Sequence, residues 1–406
     1  MKTVLVRAAM AALLIATGPA EAGHYMAGPA EVGHHVGRAA EVRHHAAGPA
    51  EIGHRVLTAD VLAASRRPEI VEGQDAHLTF TVGSATAGRG HKAYGVLKVP
   101  AGKDAAYDIP VVVLHGARPG PVLAVASGAH GTEYASIIAV ERLIDAVDPA
   151  QLSGTLILVP LINVPSFERI VPHVNPTDNK SMNRFYPGDP NGTQTDRASF
   201  VVTREVVDKC DHLIDLHGGD LDENLRPYSY WTVTGNQKQD AISRAMVLAF
   251  GLDHIIISAD RPKDPKASRY LENTASTRGK PSFTAEAGRS GPVDPKDAAV
   301  LVTGVQNVMG HLKMLSRAAP APAKPVWVGQ IVTVAADREG IFHPAVDRDA
   351  HVVKGAKIGS VTDYLNRPLQ DVLAPESGII MFVRALPSLK KGDTIANVGV
   401  VSTDPR

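Results

Sequence analysis

Short apolar runs alternate with segments of helical periodicity over much of this chain, and this alternation restricts the possible folds more than any other feature. The runs "VLAVASGAH" (122–130), "TLILVPLIN" (155–163) and "HLIDLHGG" (212–219) contain short continuous apolar stretches of the kind seen in strands buried on both faces. Between the first two, "EYASIIAVERLIDAV" (133–147) repeats apolar residues at helical spacing. Strands that alternate with helices predict an α/β fold, with a mixed, mainly parallel sheet covered by helices on both faces.

The composition changes after the last helical segment. Residues 316–326 are rich in alanine and proline, which is typical of a linker. Beyond them, short alternating segments separated by glycine and aspartate predict strands and no helix. We therefore expect a main domain over residues 58–315, with strands at its N-terminal end, and a small all-β domain over residues 327–406.

The first 22 residues have the pattern of a secretory signal peptide. Lys2 and Arg7 precede an apolar stretch from Ala8 to Ala16, and Ala20 and Ala22 have the spacing of an A-x-A cleavage site. The apolar stretch is too short to span a bilayer stably, and no later run is long enough either. We therefore expect residues 1–22 to be removed and the mature chain to be periplasmic or secreted, without a membrane span. An exposed N-terminal helix is the alternative.

A repeat of ten residues follows. Four decapeptides from residue 18 to residue 57 each place a glutamate three residues before a histidine. Two interpretations stay open: a weak metal-collecting tail, or a tandem duplication without a selected role. Because glycine, proline and alanine dominate it, we expect the part over residues 23–57 to be disordered.

From the charge balance of the chain we expect no nucleic-acid partner. Lys+Arg and Asp+Glu number 42 each, so the formal net charge is +0. The chain has no excess of basic residues, which would be expected of a protein that binds nucleic acid. Cys210 is the single cysteine, so the chain cannot form an intramolecular disulfide.

Two of the predicted strands end in residues that bind metal ions. His130 ends one strand, Glu133 lies in the first turn of the next helix, and His217 ends another strand. Because ligands bind at the carboxyl ends of strands in a parallel α/β sheet, we expect these residues to lie close together. Two histidines and one glutamate are the three protein ligands of a catalytic zinc ion, whereas structural sites have four. The pattern predicts one zinc ion per chain.

A fourth residue suits the chemistry of such a site. Glu286 ends the predicted strand in "PSFTAEAG". A carboxylate that is not a ligand can serve as general base for the attacking water. Pairing of Glu286 with Arg289, or a capping role, is the alternative.

Other histidines compete with these assignments. On composition alone, the rival ligands are His115, His173, His212 and His254. His115 also ends an apolar strand, which makes it the strongest rival of His130. His212 and His217 lie five residues apart in one strand, so they face opposite sides and only one can point to a common site.

Four segments together resemble a known family. They are "GAHGTE" (128–133), "NVPSFERIVPHVNPTDNKSMNRFYPGD" (163–189), "DLHGGD" (215–220) and "TAEAG" (284–288). In this order and at this spacing they resemble the succinylglutamate desuccinylase/aspartoacylase family, which belongs to the zinc carboxypeptidase clan. The resemblance covers about residues 90–315 and implies a zinc-carboxypeptidase-like fold. It also implies that His130, Glu133 and His217 bind zinc and that Glu286 passes a proton from water to the leaving nitrogen.

The resemblance implies further substrate-binding residues. Asn183 and Arg184 would hold a substrate carboxylate, for which the planar fork of arginine is suited. Arg169 would polarise the scissile carbonyl and stabilise the oxyanion; a plain surface role for Arg169, with Lys180 as the nearby cation, is the alternative. Tyr228 would line the pocket, although core packing would also explain it.

The expected function is that of an exported zinc hydrolase. It would cleave an amide bond, or an ester bond, next to a free carboxylate in a small-molecule or peptide substrate. Two alternatives stay open. One is a zinc carboxypeptidase that acts on peptides or cell-wall peptides, and the other is a non-catalytic zinc-binding protein, for which a general base at Glu286 would have no use.

Overall fold

The computed structural model describes residues 78–318 and 324–405. The predictions for residues 1–22 and 23–57 lie outside these ranges. Within the ranges, no helix is both long enough and apolar enough to cross a membrane.

Strands make up most of the regular structure in the described ranges. They are β1 (Thr79–Val82), β2 (Ala85–Gly88), β3 (His91–Val99), β4 (Tyr107–His115), β5 (Arg118–Ser127), β6 (Ser153–Val159), β7 (His212–His217), β8 (Glu223–Thr232), β9 (His254–Ser258), β10 (Ser282–Arg289), β11 (Val326–Ala335), β12 (Gly340–Pro344), β13 (His351–Val352), β14 (Lys357–Thr362), β15 (Pro368–Leu373), β16 (Gly378–Arg384), β17 (Ser388–Leu389) and β18 (Thr394–Ser402).

The helices lie between the strands of the first part of the chain. They are α1 (Tyr134–Ala146), α2 (Val164–Arg169), α3 (Gln194–Val202), α4 (Gln237–Phe250), α5 (Leu271–Ser276) and α6 (Pro295–His311). Two short 3₁₀ helices, Met182–Arg184 and Pro265–Ala267, and a π-helical turn, Thr203–Val207, complete them.

The ends of two helices follow local signals in the sequence. The side chain of Asp294 accepts a hydrogen bond from the N–H of Lys296, and Pro295 occupies the first turn of α6. Gly251 ends α4 with φ +95°, a conformation that favours glycine. These end signals lie in residues that are adjacent in the chain, so they can be read from the sequence.

A sheet of twelve strands organises the molecule. Its order is β13-β16-β18-β11-β9-β8-β10-β7-β5-β6-β4-β3. Five neighbouring pairs are parallel and seven are antiparallel. The prediction of a mixed α/β fold is confirmed. The sheet is not mainly parallel, because its parallel pairs are confined to two groups of strands, β10-β7-β5-β6 and β8-β9-β11, whereas β3, β4 and most of the C-terminal strands pair antiparallel.

Helices cover both faces of the central strands. Along β5, Leu123 and Val125 belong to a buried cluster that includes α1, α4 and α6. Ala124 and Ala126, on the other face, belong to a cluster that includes α3 and α5. A strand that is buried on both faces needs the continuous apolar run seen in its sequence.

The strands after residue 324 join the same sheet. β11 pairs parallel with β9, and β16 pairs antiparallel with β8. As a result β8, β9, β11, β18 and β16 close into a ring of five strands, and apolar residues of β8, β9, β11 and β16 pack together in one cluster. A further buried cluster lies among the C-terminal strands. A separate β-domain over residues 327–406, preceded by a linker over 316–326, stays a prediction.

Candidate metal centre

The carboxyl ends of three neighbouring strands form the candidate site. β7 lies between β5 and β10, and all three run parallel. His217 is the last residue of β7, and Glu286 of β10 is its direct neighbour across the ladder. β5 ends at Ser127, three residues before His130. The fold therefore brings the predicted ligands and the predicted base to one edge of the sheet.

Three of these side chains converge on a common point. The possible ligand atoms of His130, Glu133 and His217 all lie within 4.8 Å of one another. The Nδ1 atom of His130 lies 2.7 Å from one Glu133 oxygen, and the Nδ1 atom of His217 lies 2.9 Å from the other. Two imidazole nitrogens and one carboxylate are donors that zinc prefers, so the residues fit a zinc ion.

The far side of the His217 ring also has defined partners. Its Nε2 atom lies 3.3 Å from Asp215 Oδ1 and 2.8 Å from the side-chain nitrogen of Asn183. Asp215 is 1% exposed, and within the described residues this oxygen has no hydrogen-bond partner of good geometry. A metal-bound histidine usually offers its other N–H to such a carboxylate. The position of Asp215 Oδ1 beside Nε2 is therefore a second observation that fits a metal ion bound to Nδ1 of His217.

The loop that carries the first two ligands is held by the start of α2. A Cβ atom on Gly131 would lie 2.3 Å from the backbone nitrogen of Phe167, so only glycine fits there. The Gly131 N–H donates to Ser166 Oγ at 2.9 Å. The side-chain amide of Asn163 donates to the carbonyl of Ala129 at 3.2 Å. These contacts explain the glycine between the two ligands.

Neighbouring charges and burial shift the pKa values of Glu133 and His217 in opposite directions. Burial raises the pKa of Glu133, but the positive charges and hydrogen bonds of His217 and His130 hold it well below its usual range. Burial lowers the pKa of His217, but Asp215 and Glu133 raise it well above its ordinary value. Protons and a metal ion therefore compete for the same nitrogen atoms.

Glu286 has the electrostatic surroundings of an acid–base group. Burial raises the pKa of its carboxyl, and the charges of Glu133, Glu223 and Asp215 raise it further against the opposing effect of His217, to about 8. A group that gains and loses a proton near neutral pH is suited to general acid–base catalysis.

The residues proposed to bind substrate lie at different depths. Asn183 is buried beside His217. Arg184 is exposed, and its guanidinium stacks over the ring of Tyr270 at 4.9 Å. Arg169 is the exposed last residue of α2, the helix that holds the ligand loop. Their roles in substrate binding stay predictions.

Tyr228 lies beside the predicted base in the ladder. It pairs with Glu286 between β8 and β10. Its side chain is 7% exposed and packs in the apolar cluster of the five-stranded ring, with its ring 5.3 Å from that of Tyr230. The backbone of Tyr228 therefore neighbours the site, and a pocket-lining role for its side chain stays a prediction.

Three of the rival histidines have other surroundings. The Nδ1 atom of His115 lies 2.9 Å from Thr155 Oγ1. Thr155 pairs with Val122, five residues before the end of β5. His212 is the first residue of β7, at the end opposite to His217. The Nδ1 atom of His254 lies 3.1 Å from a carboxylate oxygen of the adjacent aspartate.

The fourth rival, His173, lies beside the site together with acidic residues that the sequence reasoning missed. Burial lowers the pKa of His173, but Asp222, Asp220 and Glu223 raise it to about 10. Burial raises the pKa of Glu223 to about 7, with the charge of Glu133 adding to the effect. The available signal was the run "DLHGGDLDE", in which three acidic residues closely follow a predicted ligand.

Comparison with known proteins shows which family part of the chain matches. Residues 119–312 match the family described as "Succinylglutamate desuccinylase/Aspartoacylase catalytic domain". The chain is 26% identical over 318 residues to the N-alpha-acetyl-L-2,4-diaminobutyric acid deacetylase of Halomonas elongata, a match that covers 76% of this chain and 91% of that protein.

Solved structures show the same fold. The product-bound structure of the ectoine utilization protein EutE (DoeB) from Ruegeria pomeroyi matches with a TM-score of 0.69 and 25% identity, over 76% of this chain and 95% of the other. A succinylglutamate desuccinylase from Silicibacter sp. matches with a TM-score of 0.68 and 24% identity, over 77% and 95%. Residues 119–312 of this chain are therefore a catalytic domain of the succinylglutamate desuccinylase/aspartoacylase family.

Proposed function

We propose that this protein is a zinc-dependent hydrolase that cleaves the amide bond of an N-acyl amino acid, next to the free carboxylate of the substrate. The observation that carries the proposal is the convergence of His130, Glu133 and His217 on one point, with Glu286 on the neighbouring strand. The deacetylase of Halomonas elongata, whose name gives an N-acetylated amino acid as its substrate, supports the type of bond.

The donor set defines what a metal would contribute. Zinc at this position would supply Lewis acidity towards the substrate carbonyl and lower the pKa of water. His130, Glu133 and His217 would hold the ion, and Asp215 would orient His217 through its Nε2 atom.

Glu286 moves the proton in this proposal. Its carboxylate accepts a proton from the attacking water as the water oxygen bonds to the carbonyl carbon. The protonated carboxyl then donates this proton to the leaving nitrogen as the amide C–N bond breaks, which releases a carboxylate and an amine. A pKa raised by burial to about 8 permits both steps near neutral pH.

The carboxylate of the substrate has candidate partners at the rim. Arg184 is exposed beside Asn183, and its guanidinium can bind a carboxylate through two parallel hydrogen bonds. Arg169 is on the helix that holds the ligand loop, and we propose that it stabilises the oxyanion.

Substitution of the base tests the proposal. Glu286→Gln removes the proton acceptor but no ligand, so hydrolysis of a panel of N-acyl amino acids should fall by about 10²–10⁴-fold. Metal analysis should still find about one zinc ion per chain. Glu376→Gln, which changes an exposed glutamate paired with Lys354, is the matched control and should retain activity. Wild-type activity in Glu286→Gln would contradict the proposed mechanism.

We also propose that the protein is exported. The support is the signal-peptide pattern of residues 1–22. N-terminal sequencing of the protein from periplasmic and extracellular fractions should show removal of this segment, and an intact Met1 in every fraction would contradict export.

A further inference from the structure

His173 lies against one of the metal ligands in an unusual backbone conformation. Its ring centroid is 6.2 Å from that of His130, and the two rings meet edge to face. Its φ is +63°, which is uncommon for a residue other than glycine. Such a conformation persists only where the surroundings hold it.

Two aspartates hold His173 in place. Its Nε2 atom lies 2.8 Å from Asp222 Oδ1, and its Nδ1 atom lies 3.2 Å from Asp220 Oδ2. The His173 backbone N–H also donates to Asp220 Oδ2 at 2.9 Å. Asp220 is fully buried and accepts a second hydrogen bond from Thr132, which lies between the two ligands of the first loop. The His173 loop and the ligand loop are therefore bound to the same carboxylate.

Asp222 is held in turn by the C-terminal part of the chain. Arg384, the last residue of β16, places Nη1 3.1 Å from Asp222 Oδ2. The Ala385 N–H donates to the Asp222 carbonyl at 2.9 Å. The same guanidinium donates from Nε to the Ser388 carbonyl at 2.9 Å and places Nη2 3.3 Å from Asp393 Oδ2. A guanidinium with partners on three sides is a rigid anchor.

We infer that Arg384 is a positioning residue of the metal centre, which acts through Asp222 to fix His173 against His130. The C-terminal strands thereby contribute to the site without supplying a ligand. The positioning role is argued from these contacts alone. Only its expected effect on activity rests on the proposed function.

Hydrogen exchange of the metal-free protein tests the positioning directly. In Arg384→Ala, amide exchange in residues 171–176 and 218–223 should become about tenfold faster, while exchange in β5 stays unchanged. Arg384→Lys, which keeps the charge but not the fork, should show a smaller increase. Unchanged exchange in both loops would overturn the inference, and so would an equal increase in β5, because that result assigns Arg384 a role in global stability.

A matched control separates this contact from other ion pairs of the C-terminal part. Arg244 pairs with Asp404 at 2.7 Å and joins α4 to the end of the chain. Arg244→Ala should leave exchange in residues 171–176 and 218–223 unchanged. Faster exchange there in this variant would show that loss of any such ion pair loosens the site, which overturns the specific role of Arg384.

Activity gives an independent readout. Removal of a partner outside the ligand set typically costs 10–100-fold, so kcat/KM should fall about tenfold in Arg384→Ala and in His173→Gln. The double variant should lose little more than the more affected single variant, because both changes break one chain of contacts. Losses that multiply would overturn the inference. Absence of hydrolysis by the wild type would contradict the proposed function, while the exchange experiment would still decide the role of Arg384.

Discussion

His130 and His115 each follow or end an apolar strand of the same sheet, and of these two only His130 is at the candidate metal centre. His130 follows β5 and faces Glu133, whereas His115 ends β4 and contacts Thr155. β6 runs parallel to β5 but antiparallel to β4, so the end of β4 lies at the opposite edge of the sheet. The end of a strand therefore predicts a site only when the direction of the strand is known.

Strand β7 shows the same contrast within one segment. At its start, Asp211 accepts a hydrogen bond from the Val122 N–H at 2.9 Å and is followed by His212. At its end, Asp215 lies 3.3 Å from the Nε2 atom of His217. Both ends carry an aspartate and a histidine, but only the second pair lies beside further ligands.

Removal of one histidine at each edge gives the largest expected difference. His217→Ala leaves two ligands, so zinc content should fall close to zero and activity should fall by more than about 100-fold, the upper range for residues outside the ligand set. His115→Ala should retain zinc and lose about 2 kcal/mol of stability, because it removes a buried hydrogen bond to Thr155. Metal analysis and urea unfolding measure both outcomes. Loss of zinc in His115→Ala would contradict the conclusion that His115 lies away from the metal centre.

Asp215, within β7, and Asp211, the residue just before β7, sharpen the comparison with a smaller expected effect. Asp215→Asn should weaken zinc binding by about 10–100-fold, because the amide is a poorer acceptor for the His217 N–H. Asp211→Asn, at the other end of the strand, should leave zinc affinity unchanged. Competition with a chelator measures both affinities. Equal affinities for wild type and Asp215→Asn would show that Asp215 does not support the metal.

The smallest expected effect concerns His212 and pH. Burial lowers the pKa of His212 below its ordinary value of 6.5, with His311 adding to the effect and Asp211 opposing it. Near and below pH 6.5, His212 binds more protons in the unfolded chain than in the folded protein. The free energy of unfolding therefore falls as the pH falls from 7 to 5. Wild type should therefore lose more stability than His212→Gln over this range. Urea unfolding of both proteins at the two pH values tests this, and an equal loss would contradict the effect of burial.

Much of the site follows from local patterns in the sequence. His130 and Glu133 are three residues apart at a strand–helix junction, and His217 and Glu286 each lie at or near the end of an apolar run. The helices α1, α4 and α6 follow from periodicity and end signals. Strand β8 was not predicted, because Arg226 and Pro227 interrupt its apolar pattern and its pairing partners are remote in the chain.

The sequence by itself determined the α/β class, the ligand pair in "GAHGTE" and the order of the family segments, because each depends on residues that are close together in the chain. Only the tertiary structure decided that β4 runs against β6, that β16 closes a ring with β8, and that Arg384 reaches Asp222. Strand direction and register depend on hydrogen bonds between distant segments and on the burial of both sheet faces. No local pattern of residues contains that information.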